Sequence, residues 1–157
     1  MKFVTCRYKG TTTWGAVTEN GAGVVDLGRR LPDVPNLSVA LKFGQLADAK
    51  KVASQVDADF ALADAEYERT VPFPGKIFCI GVNYGGRNAE YSDSTSSNKP
   101  SVFVRFPESL TGHKQPLVRP PESVQLDYEG EIVAVIGRRG RRIPRNQARD
   151  HIAGLTL

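Results

Sequence analysis

One stretch limits what this chain can fold into more than any other: Leu126 to Arg142, LDYEGEIVAVIGRRGRR. Its centre, IVAVIG, is apolar and rich in β-branched residues, which predicts a strand packed away from water. That strand opens with Glu129 and Glu131, two residues apart around Gly130. Residues i and i+2 of a strand point to the same face, so the two carboxylates would stand side by side. Partly desolvated, such a pair repels unless one member takes a proton or a cation lies between them. An oxygen-only pair suits a hard ion such as Mg²⁺ or Mn²⁺ rather than zinc, and Mg²⁺ keeps positions open for water and substrate oxygens. Gly130 would let another group approach the backbone. The competing reading is an exposed edge strand, with both glutamates in water beside the neighbouring arginines. Spacing alone does not separate the two.

The rest of the chain is organised around such strands. Its 157 residues suffice for one ordinary domain, or for a small module plus part of a larger one. KFVTCRY predicts a first strand, Lys9-Gly10 a turn, TTWGAVT a second strand, and Glu19-Asn20-Gly21 a hairpin turn before AGVVDL. LPDVPN is a Pro-broken loop. The apolar spacing from Leu37 to Val56 predicts one or two short helices interrupted at Gly44. Residues 58–74 read as a connector, with prolines on both sides of Phe73 keeping it extended. KIFCIGVNY then predicts a buried strand delivering the polar loop GGRNAEYSDSTSSNKP. SVFVRF predicts another strand, Pro144 to Ile152 a short helix stopped at Gly154, and LTL the start of a further strand.

Composition excludes several classes. The balance of 40% hydrophobic and 24% charged residues is that of a soluble globular protein. No run approaches the roughly 18 apolar residues of a membrane span, and MKFVTCRYKG has no apolar leader core. The expectation is a cytoplasmic protein without a membrane partner. Cys6 and Cys79 lie far apart in apolar segments and read as buried free thiols. Arg138, Arg139, Arg141, Arg142, Arg145 and Arg149 form a basic block. Without interleaved aromatics or a nucleic-acid motif, it reads as a solvated turn and helix face, so no nucleic acid is expected.

From Lys76 onward the sequence resembles the fumarylacetoacetate hydrolase family. The matching pieces come in order: KIFCIGVNY for the opening core strand, SVFVRFPESLTGHKQPLVRPP for the second strand and its loop, LDYEGEIVAVIGRRGRRIP for the metal strand, and HIAGLTL for the next. The fold implied is α+β and mainly β: a small N-terminal β/α module over residues 1–70, then part of a mixed β-roll over 71–157. The resemblance also implies a homodimer.

It further implies a divalent cation, Mg²⁺ or Mn²⁺ with others possible, held by Glu129 and Glu131, and a small 2-oxo or β-diketo acid as substrate. A metal on the carboxylate and keto oxygens of such a substrate acts as a Lewis acid and stabilises an enolate. From that enolate the family reaches C–C bond hydrolysis, decarboxylation and keto–enol isomerisation. The first expectation is hydrolysis of the acylpyruvate or fumarylacetoacetate type. The alternatives are a decarboxylase, an isomerase or tautomerase, or a non-catalytic fragment with half a metal site.

Site residues carry over position by position. Tyr84 and Arg105 are expected to meet substrate, with Glu90 and Arg87 in catalysis. The family's hydrolases place a water-activating histidine three residues after the Asn-Tyr pair, and here that position holds Arg87. Arginine cannot act as a general base, but it can bind a carboxylate or steady an enolate. The family's third metal ligand, an aspartate, falls further along than Leu157. Asn83 is expected to fix its loop, while His113 and Asp127 are expected in solvent and His151 in helix capping or packing.

Overall fold

The computed structural model describes residues 1–81 and 99–157. These form two compact units, one of Met1–Pro72 with Thr111–Leu157, the other of Phe73–Leu110.

The first unit is built on a five-stranded antiparallel sheet. Strands β1 (Lys2–Tyr8), β2 (Thr11–Val17) and β3 (Gly23–Asp26) run as a meander. Two short edge strands, β4 (Phe60–Ala61) beside β3 and β5 (Glu66–Tyr67) beside β1, complete the order β4-β3-β2-β1-β5. The first turn is as tight as a hairpin allows. Tyr8 pairs with Thr11, and Lys9 and Gly10 both take positive φ, +48° and +81°. That combination matches the right-handed twist of the flanking strands. The second turn uses Gly21 at φ +74°, and the Asn20 side chain accepts the Ala22 amide at 3.0 Å.

Pleating sorts β1–β3 onto two faces. Trp14, Ala16 and Val25 point to one face and pack against helices α1 (Leu27–Arg30), α2 (Leu37–Lys42) and α3 (Leu46–Ala53). The indole N–H of Trp14 donates to the Val34 carbonyl at 2.7 Å, so its one polar atom is satisfied inside the core. Val4, Cys6, Val24 and Phe60 form a smaller cluster on the other face, where Phe60 stacks on Tyr8 with ring centroids 4.1 Å apart. The helices form where the apolar spacing predicts. Asn36 caps α2 by accepting the Val39 amide at 3.0 Å, and Gly44 at φ +70° separates α2 from α3.

The same unit holds the antiparallel hairpin of β8 (Val133–Ile136) and β9 (Ile152–Thr156), with a bulge at Val135/Ile136. Val135 and Ala153 pack against the Trp14 cluster. A 3-10 turn, Arg145–His151, leads into β9. In the second unit, β6 (Ile77–Gly81) and β7 (Ser101–Arg105) pair antiparallel from Ile77↔Arg105 to Gly81↔Ser101.

The class is α+β with strands dominating, as the sequence predicts. Several local expectations give way. The connector read over residues 58–74 also supplies both edge strands of the sheet, which at two residues each are too short to show an alternation. Gly154 lies inside β9 and stops nothing. The apolar strands β6 and β8 are not buried. Phe78, Ile80, Val133 and Ile136 are all exposed, because each strand belongs to a two-stranded ribbon and only Val135 and Ala153 of the β8–β9 ribbon meet a core. Cys79 is accordingly half-buried, whereas Cys6 is fully enclosed.

Candidate active site

The two glutamates lie just ahead of their strand. β8 begins at Val133, so Glu129, Gly130 and Glu131 fall in the irregular approach that precedes it, and all three are exposed to solvent. The side-by-side placement expected from strand alternation therefore has no ladder to enforce it. A Cβ added to Gly130 would meet nothing within 4 Å, so this position needs no glycine for close approach. Carboxylates exposed in this way need no neutralising partner to be tolerated, because water's high dielectric weakens repulsion between them. Just before them, the Asp127 carboxylate accepts the Tyr128 amide at 2.8 Å, which gives that solvent-facing acid a local role.

The glutamates are nonetheless tied to a fixed element. Four residues beyond Glu131, Val135 seats β8 on the Trp14 core. Just past β8, the Gly137 amide donates to the carbonyl of His151, the residue before β9, at 2.9 Å. The His151 ring is buried, with Nδ1 2.9 Å from the Arg138 carbonyl, an arrangement that needs the proton on Nδ1. His151 is thus the packing residue its position predicted, and it closes the arginine-rich turn. Arg138, Arg139, Arg141, Arg142, Arg145 and Arg149 are all exposed.

The other candidates distribute as follows. Arg105 ends β7 in the second unit, exposed, with its guanidinium 5.4 Å from the Phe103 ring centroid. Tyr84, Arg87 and Glu90, with Asn83, lie outside the described residues. His113 stands edge-on to the Tyr67 ring at 4.9 Å, in a turn tied to β5 by the Gln115 side-chain amide, which donates to the Tyr67 carbonyl at 2.7 Å. Among the described residues, no group of three or more His, Cys, Asp or Glu side chains is arranged to hold a metal ion. What they offer a divalent cation is hard oxygen donors at Glu129 and Glu131. That donor type fits Mg²⁺ or Mn²⁺, and its number leaves most of the coordination shell to other groups.

Sequence reasoning missed the most connected polar cluster of the first unit. Asp59 accepts the Asp26 amide at 2.7 Å and pairs with Arg29 at 2.7 Å and with Arg30. Asp26 in turn caps α1 through the Arg29 amide at 3.1 Å and accepts the Thr13 hydroxyl at 2.6 Å. Burial pushes the Asp59 carboxyl up. The Arg30 hydrogen bond, the Asp26 amide and the charges of Arg30 and Arg29 outweigh that push, so the group sits below the ordinary carboxylate value. No spacing rule could have joined Asp59 to residues about thirty positions earlier.

Residues 76–157 match the family model described as Fumarylacetoacetate (FAA) hydrolase C-terminal. The chain is 30% identical over 146 residues to the human mitochondrial oxaloacetate tautomerase FAHD2B, covering 91% of this chain and 46% of that protein. It is 39% identical over 119 residues to the oxaloacetate tautomerase YisK of Bacillus subtilis, covering 72% of this chain and 39% of that one. Among solved structures, the fumarylacetoacetate hydrolase from Exiguobacterium antarcticum superposes with a TM-score of 0.73 at 25% identity, over 99% of this chain and 53% of its own. The chain therefore spans about half the length of the curated relatives it matches or less. The likeness to that structure extends over the small β/α module and the paired strands alike, and it identifies the latter as part of a mixed β-roll. With a family model matched over just over half its length, the chain belongs to the fumarylacetoacetate hydrolase family.

Proposed function

We propose that the chain forms part of an enzyme that interconverts the keto and enol forms of a small 2-oxo acid, with oxaloacetate the leading substrate. The observation that carries this reading is the pair of relatives, from human and Bacillus, that are both named oxaloacetate tautomerases. It moves isomerisation ahead of the C–C hydrolysis that the sequence put first. Arg87 supports the same order, since it stands where a hydrolase would activate water. Tautomerisation consumes no water: a proton leaves C3 and one arrives on the keto oxygen.

In this reading Glu129 and Glu131 hold a divalent cation, Mg²⁺ or Mn²⁺. When bound, that ion supplies electrophilic stabilisation of negative charge on substrate oxygen. Arg87 and Arg105 bind substrate carboxylates, which suits their fork of donors. Glu90 exchanges the C3 proton, and Tyr84 orients the substrate by hydrogen bonding. The free thiols Cys6 and Cys79 favour a reducing compartment such as the cytoplasm. Among the described residues no helix is long and apolar enough to cross a membrane.

The test is to follow enol-oxaloacetate absorbance with purified protein, with Mg²⁺ or Mn²⁺ present, while assaying pyruvate, oxalate and the products of an acylpyruvate panel. Faster tautomer equilibration with no cleavage product supports the reading. Stoichiometric C–C cleavage with no effect on the tautomers overturns it.

A further inference from the structure

We propose that Asn20 is a site of covalent modification, deamidation to aspartate or isoaspartate, which the folded β2–β3 turn holds closed. Asn20-Gly21 is the only Asn-Gly step in the sequence. Both residues are exposed, and a Cβ on Gly21 would meet nothing within 4 Å, so no neighbour crowds the glycine. The reaction consumes only water. The Gly21 amide nitrogen gives its proton to base and attacks Asn20 Cγ; the Cγ–Nδ2 bond breaks and Nδ2 leaves as ammonia. Water then opens the resulting succinimide. Addition at Cγ leaves an ordinary aspartate, and addition at the main-chain carbonyl carbon routes the backbone through Cγ as isoaspartate.

The turn restrains both reacting groups. The Gly21 amide donates to the Thr18 carbonyl at 2.9 Å, which engages the proton that must leave. Asn20 Oδ1 accepts the Ala22 amide at 3.0 Å and the Thr18 hydroxyl at 2.7 Å, which fixes the side-chain amide. Thr18 is itself anchored, because its hydroxyl accepts the Gly23 amide at 2.9 Å and its own amide donates to the Gly23 carbonyl at 3.0 Å. Attack requires the Gly21–Thr18 bond to break and the Asn20 side chain to turn. The native rate is then the rate of the free chain scaled by the population of the opened turn. The two products differ in consequence. Aspartate keeps both acceptor bonds and adds a carboxylate to a surface cleft that already holds Asp57 and Asp59. Isoaspartate lengthens the main chain between strands whose pairing at Val17↔Val24 the turn sets. The inference stands on this turn alone and does not depend on which reaction the protein performs.

The experiment incubates the full chain at pH 8, native and in guanidinium chloride, and reads residue 20 in its tryptic peptide by mass spectrometry, with electron-transfer fragmentation separating aspartate from isoaspartate. T18V, which removes the hydroxyl from the turn, and T18S, which keeps it, run alongside under native conditions, with circular dichroism reporting the fold. The expected result is conversion of Asn20 at least tenfold slower in the native chain than in denaturant, where no other asparagine keeps pace with it. T18V should raise the native rate at least threefold, and T18S should leave it near wild type. If T18V does not fold, the comparison of native with denatured wild type decides alone. The proposal is overturned if Asn20 converts as fast in the native chain as in denaturant, if it converts in neither, or if folded T18V keeps the wild-type rate.

Discussion

The carboxylate of Asp59 and the guanidinium of Arg29 meet at 2.7 Å across thirty positions of sequence, and the same carboxylate accepts the Asp26 amide. Asp59 therefore fastens the segment leading into β4 to the start of α1. D59N should destabilise the first unit by about 2 kcal/mol at neutral pH, because it strips partners from a group that is largely enclosed. R29A should do far less, since Arg29 is mostly exposed and surface pairs contribute little. The sign of the pH dependence is fixed by the lowered carboxyl. Its contribution is complete above the unfolded value of 3.8 and is lost as pH falls through the lower folded value. Urea melts of wild type and D59N should differ fully above about pH 3.8, draw together as pH falls below it, and converge only once pH is below the lowered folded value.

The Lys9-Gly10 turn separates backbone strain from steric clash. A Cβ on Gly10 meets nothing within 4 Å, so G10A should lose only the conformational term, about 1 kcal/mol, for placing alanine at φ +81°. A Cβ on Gly15 would run into the Val25 carbonyl and the Val24 side chain across the β2–β3 pair. G15A should therefore be the more damaging of the two by at least about 1 kcal/mol. Thermal melts of the two variants, side by side, check the ranking.

The two thiols should behave differently. Burial pushes Cys6 up to about 11, with the charges of Asp26 and Glu68 adding to it. Thiolate is the nucleophile, so Cys6 should stay unreactive toward a disulfide reagent at pH 8 until the chain unfolds. Cys79, half-buried on β6, should react in the native protein. One fast thiol per native chain and two in denaturant is the expected count. The raised Cys6 value also makes the fold lose stability between about pH 9 and 11, where only the unfolded thiol ionises.

How much of this was legible in the sequence follows from the range of the interactions involved. β1, the two glycine turns and the helix break at Gly44 are local, and their residues announce them. β4 and β5 were not readable, because two-residue strands exist only by pairing with β3 and β1. The Asp59 cluster joins segments that no periodicity connects. For the candidate site, the sequence marked Glu129 and Glu131 by chemistry, but it overstated their strand. The apolar run after them predicts burial, and burial requires a covering layer that the β8–β9 ribbon has only at Val135 and Ala153. Arg105 lies on β7 as expected, whereas Tyr84, Arg87 and Glu90 are placed by sequence resemblance alone.

The central claim is that Glu129 and Glu131 hold a divalent cation. The most direct measurement is a Mn²⁺ titration followed by the electron paramagnetic resonance signal of the free ion, on wild type, E129Q, E131Q and the double variant. The account predicts saturable binding to wild type, at least tenfold weaker binding in each single variant and none in the double variant, with unchanged circular dichroism throughout. Equal Mn²⁺ binding by wild type and the double variant would contradict it.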